Sequence, residues 1–189
     1  MLKGIDVSHH NKYQFIDGTI QFNKHDFIMM KATEGKSFED PMMETYVKAL
    51  SPNKLYGFYH FARPEINDPV SEAKNFCSTI GIYGYDAMLA LDWEAKATKC
   101  DIEWAIEWLK EVEKKYRKKP LFYCSSFYTK KIQKVLENNN GLWVAHYTKA
   151  DKPKVYTYPL YAMWQYTSEP YDKDYFNGGV AQWHKYTNS

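Results

Sequence analysis

The stretch LYGFYHFARPEINDPVSEAKNFCSTIGIYGYDAMLALDWEA, residues 55–95, alternates between apolar and amphipathic segments. Its two ends, 55–61 and 87–95, are short apolar runs of the kind that form buried strands. Residues 68–80 between them have a helical pattern, with Asp68 as the cap and Pro69 in the first turn. The stretch therefore predicts a strand–helix–strand unit, which joins two parallel strands of one sheet.

The same alternation extends on both sides of this unit. Short apolar runs predict further strands at 3–8, 27–33 and 120–126. Amphipathic patterns predict helices at 39–50, 99–117 and 128–139. Thr98 and Asp101 have the spacing of a capping box for the second of these, and Asn and Gly at 138–141 end the third. The first three quarters of the chain thus have the pattern of an α/β protein.

The pattern changes after Gly141. Three segments read as strands with no convincing amphipathic helix between them: 142–147, 161–166 and 179–186. The total of eight strands favours a closed barrel over an open sheet. A complete eight-helix barrel needs about 250 residues, so 189 residues fit only if several helices are missing. We therefore predict a reduced, irregular α/β barrel that occupies residues 1–189 as a single domain.

Composition narrows the function classes. The net charge of +2 is too small to favour nucleic acid as a partner, and no apolar span is long enough to cross a membrane. Glycine-rich phosphate loops are absent, and the three widely spaced cysteines predict free thiols rather than a metal site or a disulfide framework. Aromatic residues make up 17% of the chain, which is a weak indication of a carbohydrate or peptide cleft. The start has no apolar targeting region, so we expect synthesis without a signal peptide.

Two acids follow an apolar run in the segment MLALDWEAK, residues 88–96. Alternate residues of a strand share a face, so Asp92 and Glu94 would lie on one side and Trp93 on the other. Their backbone positions would be about 6.5–7 Å apart. Asp6 has the matching place at the end of the first predicted strand, and parallel barrels build their sites at these ends.

Such acids have two interpretations. They can close ion pairs at the end of a core strand, which is the commoner role of an isolated pair of acids. They can also work as an acid and a base, because two carboxyl groups across a cleft are the usual means of cleaving a glycosidic bond. The position at the strand ends and the surrounding aromatic residues favour the second, and the residues alone therefore suggest a glycoside hydrolase.

Six segments in order carry a resemblance to a known family: GIDVS (4–8), KATEG (31–35), GFYHFARP (57–64), LDWE (91–94), LWVAHY (142–147) and WQYTSEPYDKDYFNG (164–178). Together they resemble glycoside hydrolase family 25, the Chalaropsis-type lysozymes that include many phage endolysins. The resemblance covers nearly the whole chain. It implies an irregular TIM-like barrel with eight strands and about five helices, and N-acetylmuramidase activity on the β-1,4 bond between N-acetylmuramic acid and N-acetylglucosamine in peptidoglycan.

The resemblance also implies roles for residues. Glu94 would donate the proton, Asp92 would orient or stabilise the reacting sugar, and Asp6 and Asp172 would complete the acidic cluster. Asp174 competes with Asp172, and the family's pattern ahead of FNG favours Asp172. Candidates for contacts with the sugar lie in the strand-end motifs: Lys31, Tyr59, Tyr123, Trp143, Tyr147, Trp164 and Gln165.

The identity of the nucleophile stays open, because a separation near 7 Å lies between the retaining and inverting ranges; the substrate's own N-acetyl group is the leading option. We expect no metal or cofactor, peptidoglycan as the partner, a monomer, and action on the bacterial cell wall after release by a route other than a standard leader. Two alternatives remain: a non-catalytic wall-binding barrel, and a hydrolase of another N-acetylhexosamine polymer.

Overall fold

The computed structural model describes residues 1–156 and 160–188. Its strands, in chain order, are β1 (Leu2–Val7), β2 (Phe27–Glu34), β3 (Phe38–Glu39), β4 (Leu55–Phe61), β5 (Met88–Asp92), β6 (Leu121–Ser125), β7 (Leu142–Ala145), β8 (Met163–Thr167) and β9 (Lys173–Phe176). Its α-helices are α1 (Lys12–Ile16), α2 (Met43–Lys48), α3 (Pro69–Ile80), α4 (Ile102–Tyr116), α5 (Gln133–Glu137) and α6 (Val180–Thr187). Short 3₁₀ helices include Ala95–Lys99 and Ser126–Lys131.

Eight of the strands form a closed barrel. Their order is β1-β9-β8-β7-β6-β5-β4-β2, and pairing between β1 and β2 closes the ring, while β3 forms a short hairpin on β2. All barrel neighbours are parallel except β9, which is antiparallel to both β8 and β1. A short hairpin connection from β8 to β9 thus replaces the last crossover helix of a full barrel. The predicted irregular barrel of eight strands is confirmed.

Strand alternation divides the apolar residues between two cores. Phe27 and Met29 of β2 point into the barrel with Met88, Trp143 and Phe176. Their neighbours Ile28 and Met30 point outward and pack under the helices. Because each strand is covered on both sides, it needs apolar residues at nearly every position, which explains the continuous apolar runs in the sequence.

The helix after β4 agrees with its prediction to the residue. Pro69 is its first residue, and the Asp68 carboxylate accepts a hydrogen bond from the Ser71 backbone N–H at 2.8 Å. Helix α4 begins later than predicted, because Asp101 alone caps it; the Thr98 hydroxyl instead donates to the Ala95 carbonyl inside a 3₁₀ turn. The predicted capping box was therefore wrong.

The helices predicted at 39–50 and 128–139 are shorter than expected. The first is reduced to Met43–Lys48, because Glu39 already pairs with Thr33 in the β3 hairpin. The second divides into the 3₁₀ helix Ser126–Lys131 and α5. The predicted stop at 138–141 is confirmed by Asn139, which has a left-handed φ of 59°.

The strand predicted at 179–186 was wrong, since this segment is helix α6. Its two buried residues, Trp183 and Thr187, are one helical turn apart, which is helical and not strand spacing. The Trp183 ring packs against Phe27 and Phe176, which lie where β2 begins and where β9 ends next to the start of β1. Helix α6 therefore closes the floor of the barrel, and the eighth barrel strand is β9, which the sequence pattern did not predict.

Candidate active site

A cleft of about 380 Å³ opens at the mouth of the barrel, where the parallel strands end. Residues from β1, β2, β4, β5, β6, β7 and β8 line it, as the barrel prediction requires. A somewhat larger depression, about 460 Å³, lies near Gly141 and Ala162 at the other end, but Glu137 is the one carboxyl residue among the described residues that line it. The cleft at the mouth is therefore the candidate site.

The four predicted acids meet in this cleft. Asp6 and Asp92 lie on β1 and β5 and are 6% and 7% exposed, whereas Glu94 and Asp172 are half-buried in the loops that follow β5 and precede β9. The fold thus brings together acids that come from separate motifs of the sequence.

The backbone around Glu94 explains how it reaches the cleft. Glu94 lies two residues beyond the end of β5, but it keeps an extended conformation with φ −139° and ψ −171°. Asp92 and Glu94 therefore share a side, while Trp93 is fully buried in the outer core. The next residue, Ala95, has a left-handed φ of 50°, which is uncommon without glycine and turns the chain into a 3₁₀ helix.

Burial and mutual repulsion raise the pKa values of these acids. Burial, then the charge of Glu94, raises the pKa of Asp92 well above its usual value, although Lys31 opposes the effect. Burial, then the charge of Asp172, raises the pKa of Glu94, again against Lys31. Burial also raises the pKa of Asp172. For Asp6, burial and the charge of Asp172 raise the pKa to about 7. Acids with raised pKa values in a cleft are the groups that acid–base chemistry uses.

Lys31 is less available to a ligand than its sequence position indicates. Its Nζ lies 2.6 Å from Oε2 of Glu34, and its side chain is almost fully buried. The Arg63 Nε donates to the other Glu34 oxygen at 2.8 Å. Lys31 and Arg63 thus hold one carboxylate between them at the edge of the cleft.

Gln165 connects the acids to the tyrosines of the cleft. Its Nε2 donates to Oδ2 of Asp6 at 2.8 Å. Its Oε1 accepts from the hydroxyl groups of Tyr123 at 3.0 Å and Tyr147 at 2.7 Å. Tyr147 keeps 55% of its surface exposed, and its ring is open to a ligand.

Trp143 and Tyr59 form the aromatic bottom of the cleft at the mouth of the barrel. The Trp143 ring meets Tyr59 and Tyr123 edge to face, with centroids 6.1 and 4.9 Å apart. Its indole Nε1 donates to Oδ1 of Asp174 at 2.8 Å. Asp174 is fully buried beneath the cleft, while Asp172 lines it.

The structure does not bring Trp164 to the cleft. Trp164 and Gln165 are adjacent on β8, so only one of them can face inward, and Gln165 does. Trp164 packs outside the barrel near Tyr166 and Tyr175, and its indole N–H donates to the His146 carbonyl. It has the role of a core residue.

Sequence reasoning missed five residues that line the cleft: Ser8, His10, Glu34, Phe61 and Arg63. Glu34 is three residues beyond Lys31, so strict strand alternation would place the two on opposite faces. An irregularity in the pairing of β2 with β4 between Lys31 and Thr33 shifts the register and brings them together. All five lie in or beside the quoted motifs, but a one-residue irregularity is not visible in hydrophobic periodicity.

No metal-binding group of three or more His, Cys, Asp or Glu side chains is found in residues 1–156 and 160–188. In the same part of the chain, none of the helices has the length and apolar character needed to cross a membrane.

The chemistry that the cleft can offer from its own side chains is proton transfer and stabilisation of positive charge.

A barrel mouth that gathers four carboxyl groups with raised pKa values beside aromatic rings is the arrangement of a glycoside hydrolase. Comparison with known proteins gives the family. Residues 5–175 match the family model described as Glycosyl hydrolases family 25, and the chain belongs to this family.

Individual proteins are also similar to this chain. The uncharacterized protein YegX of Escherichia coli is 28% identical over an alignment of 170 residues, and this alignment covers 82% of this chain and 61% of YegX. The chain thus spans less than two thirds of that relative. Lysozyme M1 of Streptomyces globisporus is 24% identical, over 96% of this chain and 69% of its own length. Among solved structures, a muramidase from Acremonium alcalophilum has the same fold, with a TM-score of 0.83, 21% identity, and coverage of 100% of this chain and 99% of that chain.

Proposed function

We propose that this chain is an N-acetylmuramidase that hydrolyses the β-1,4 bond between N-acetylmuramic acid and N-acetylglucosamine in peptidoglycan. The observation that carries the proposal is the pair Asp92 and Glu94, which enters the cleft from one side of β5 with raised pKa values. Family membership and the similarity to lysozyme M1 support the choice of substrate.

Glu94 is the proton donor in this proposal. Its raised pKa keeps the carboxyl group protonated closer to neutral pH than an ordinary glutamate would be. Its side chain is also partly exposed, so it can approach the oxygen of the scissile bond. Protonation of that oxygen lets the bond break as positive charge develops on the sugar ring.

Asp92 assists at the anomeric carbon. Its Oδ1 is buried and has no hydrogen-bond donor among the described residues. Buried polar atoms are normally satisfied, so this oxygen is available for a donor that arrives with the substrate. The N–H of the sugar's acetamido group fits this position, and its carbonyl oxygen would then attack the anomeric carbon.

The remaining cleft residues bind the sugars and stabilise the transition state. Asp6 and Asp172 supply negative charge for the positively charged transition state. Tyr59, Tyr123, Trp143 and Tyr147 offer rings and hydroxyl groups to the sugars. Gln165 holds Asp6 in place, and Lys31 holds Glu34 at the edge of the cleft. In this proposal Trp164 is not a sugar contact.

We further propose that residues 1–189 form one catalytic barrel domain that works as a monomer on the bacterial cell wall. The barrel closes through pairing of its first and second strands, and helix α6 covers its floor, so the fold has a complete core without another chain.

The direct test is digestion of purified cell walls by the wild type and by Glu94→Gln. Glu94→Gln keeps the side-chain shape without the acidic proton, so we expect clearing to fall by about 10²–10⁴-fold. Glu107→Gln, an exposed position on α4, is the matched control and should clear walls like the wild type.

The products of wall digestion identify which glycosidic bond is cleaved. Mass spectrometry of the released fragments should show new reducing ends on muramic acid. Reducing ends on glucosamine would identify a different specificity, and retained clearing by Glu94→Gln would contradict the role of Glu94. Wall binding without any clearing by the wild type would favour the non-catalytic alternative.

A further inference from the structure

Asp174 is a carboxyl group enclosed beneath the cleft, and it is outside the set of four acids that line it. It lies on β9, opposite Gly4 of β1 on one side and Gln165 of β8 on the other. Its side chain is 0% exposed. A carboxyl group enclosed in this way ionises only where hydrogen bonds or positive charges replace the lost water.

The hydrogen bonds of Asp174 account for only one of its oxygens. Oδ1 accepts from the Trp143 indole N–H at 2.8 Å. Oδ2 is buried and no donor from the described residues reaches it. The carboxyl group of Asp6 lies within hydrogen-bonding reach. Two ionised carboxylates can only accept, so a contact between them requires a proton on one of the two.

The strand order makes this contact part of a larger arrangement. Gln165 on β8 donates to Asp6 on β1, although β9 runs between these two strands. The Gln165–Asp6 hydrogen bond therefore spans β9, and Asp174 on β9 contacts Asp6 from beneath. Asp6 is thus held from two sides, and its position in the cleft depends on both contacts.

We propose that Asp174 is a positioning residue that keeps the shared proton and donates a hydrogen bond through it to Asp6, so that the ionised form of Asp6 is favoured and is held at the mouth of the barrel. The importance of Asp174 for hydrolysis rests on the function proposed above. The location of the shared proton is independent of that function. No step of the reaction passes through Asp174 itself, because it does not line the cleft.

The environment of the pair places the proton on Asp174. Burial, followed by the charge of Asp6, raises the pKa of Asp174 well above its usual value, and the hydrogen bond from Trp143 opposes this rise. Burial also raises the pKa of Asp6, but hydrogen bonds from Gln165 and Asp174 limit the rise to about 7. The more enclosed group keeps the proton.

Other titratable groups face the pair from the surrounding strands and loops. The carboxyl groups are Asp172 and Glu94, together with Asp92 at the end of β5. The hydroxyl groups are Tyr59, Tyr123, Tyr147 and Tyr166. Lys31 is the cation that acts on Asp92 and Glu94 from β2. The acids all disfavour a second negative charge, which strengthens the case for one shared proton.

The first test needs no substitution. Carboxyl ¹³C NMR of the wild-type protein should show that Asp174 remains protonated through the pH range in which Asp6 ionises. The indole N–H resonance of Trp143 should report the same state, since it donates to Asp174. Ionisation of Asp174 at a lower pH than Asp6 would overturn the proposal.

The second test uses two substitutions of similar shape. Asp174→Asn keeps an N–H donor toward Asp6, so the ionisation midpoint of Asp6 should stay close to that of the wild type. Asp174→Leu removes the donor, so the midpoint should rise by about one pH unit. If Asp174 were ionised in the wild type, both substitutions would remove a negative charge and lower the midpoint. A lowered or unchanged midpoint in Asp174→Leu contradicts the proposal.

Activity completes the comparison. The acid limb of the pH profile for wall clearing should move upward in Asp174→Leu and stay in place in Asp174→Asn, which a purely structural role would not predict. An inactive wild type would refute the proposed function and leave the NMR result to decide this inference. An active wild type with an acid limb unmoved by Asp174→Leu would refute the inference alone.

Discussion

The two ends of the barrel use the same eight strands in opposite ways. At the floor, Trp183 packs on Phe27 and Phe176, and helix α6 excludes water from an apolar core. At the mouth, Asp6 and Asp92 are almost as deeply buried, but they are carboxyl groups that crowd other carboxyl groups. Burial of apolar side chains stabilises the fold at the floor, whereas burial of carboxyl groups at the mouth disfavours their charged forms.

The difference shows why the site is at the mouth. Buried acids with raised pKa values make the folded state less favourable at neutral pH, and such an arrangement persists where function needs it. The apolar floor offsets this cost, since it contributes stability without any chemistry. Substitutions at the two ends should therefore separate stability from activity.

Trp183→Ala should have the largest effect on stability. Removal of this buried ring leaves a cavity at the floor, and we expect the free energy of unfolding to fall by about 3–5 kcal/mol. Urea denaturation measures the change, and activity per folded molecule should be unaltered. Tyr13→Ala is the control, because Tyr13 is 77% exposed and its loss should change little. A stable Trp183→Ala would show that α6 does not hold the floor closed.

Asp92→Asn should have the opposite effect on stability and abolish most of the activity. The folded-state pKa of Asp92 is raised, so the unfolded chain binds fewer protons than the folded one at intermediate pH, and stability falls as pH rises through that range. A neutral amide escapes this loss. We expect a gain of about 1–3 kcal/mol at pH 8 relative to the wild type, shrinking toward pH 4. Thermal unfolding at both pH values checks it, and an equal gain at both would exclude an ionisation effect.

Tyr147→Phe should have the smallest effect. It removes one hydrogen bond to Gln165 but keeps the exposed ring, so kcat/KM should fall by roughly 2- to 13-fold, which corresponds to about 0.5–1.5 kcal/mol. Tyr147→Ala, which also removes the ring, should lose more through a higher KM. Equal losses in the two variants would mean that the ring makes no contact with the substrate.

Hydrophobic periodicity was sufficient for the unit around residues 55–95. Strand β4 and helix α3 agree with their predicted bounds, because Pro69 and the Asp68 cap define the start of α3 locally. The shared side of Asp92 and Glu94 also follows from local geometry. These features depend on neighbours in the chain, which a sequence displays directly.

The features that were missed depend on contacts distant in sequence. Helix α6 and strand β9 were misread because their side chains pack across the barrel floor and against β1, more than 150 residues away in sequence. The Glu34 contacts depend on a strand irregularity, and the buried state of Asp174 depends on Trp143 and Asp6. Such contacts are set by closure of the barrel and leave no periodic signal.

The central claim is that Glu94 works as an acid because the mouth of the barrel keeps its proton. The most direct measurement compares the ionisation midpoint of the Glu94 carboxyl group, from ¹³C NMR, with the alkaline midpoint of kcat/KM for wall hydrolysis. We predict that the two midpoints coincide and lie above 4.5, the ordinary pKa of a glutamate. A Glu94 that ionises near 4.5 while hydrolysis continues at neutral pH would contradict this account.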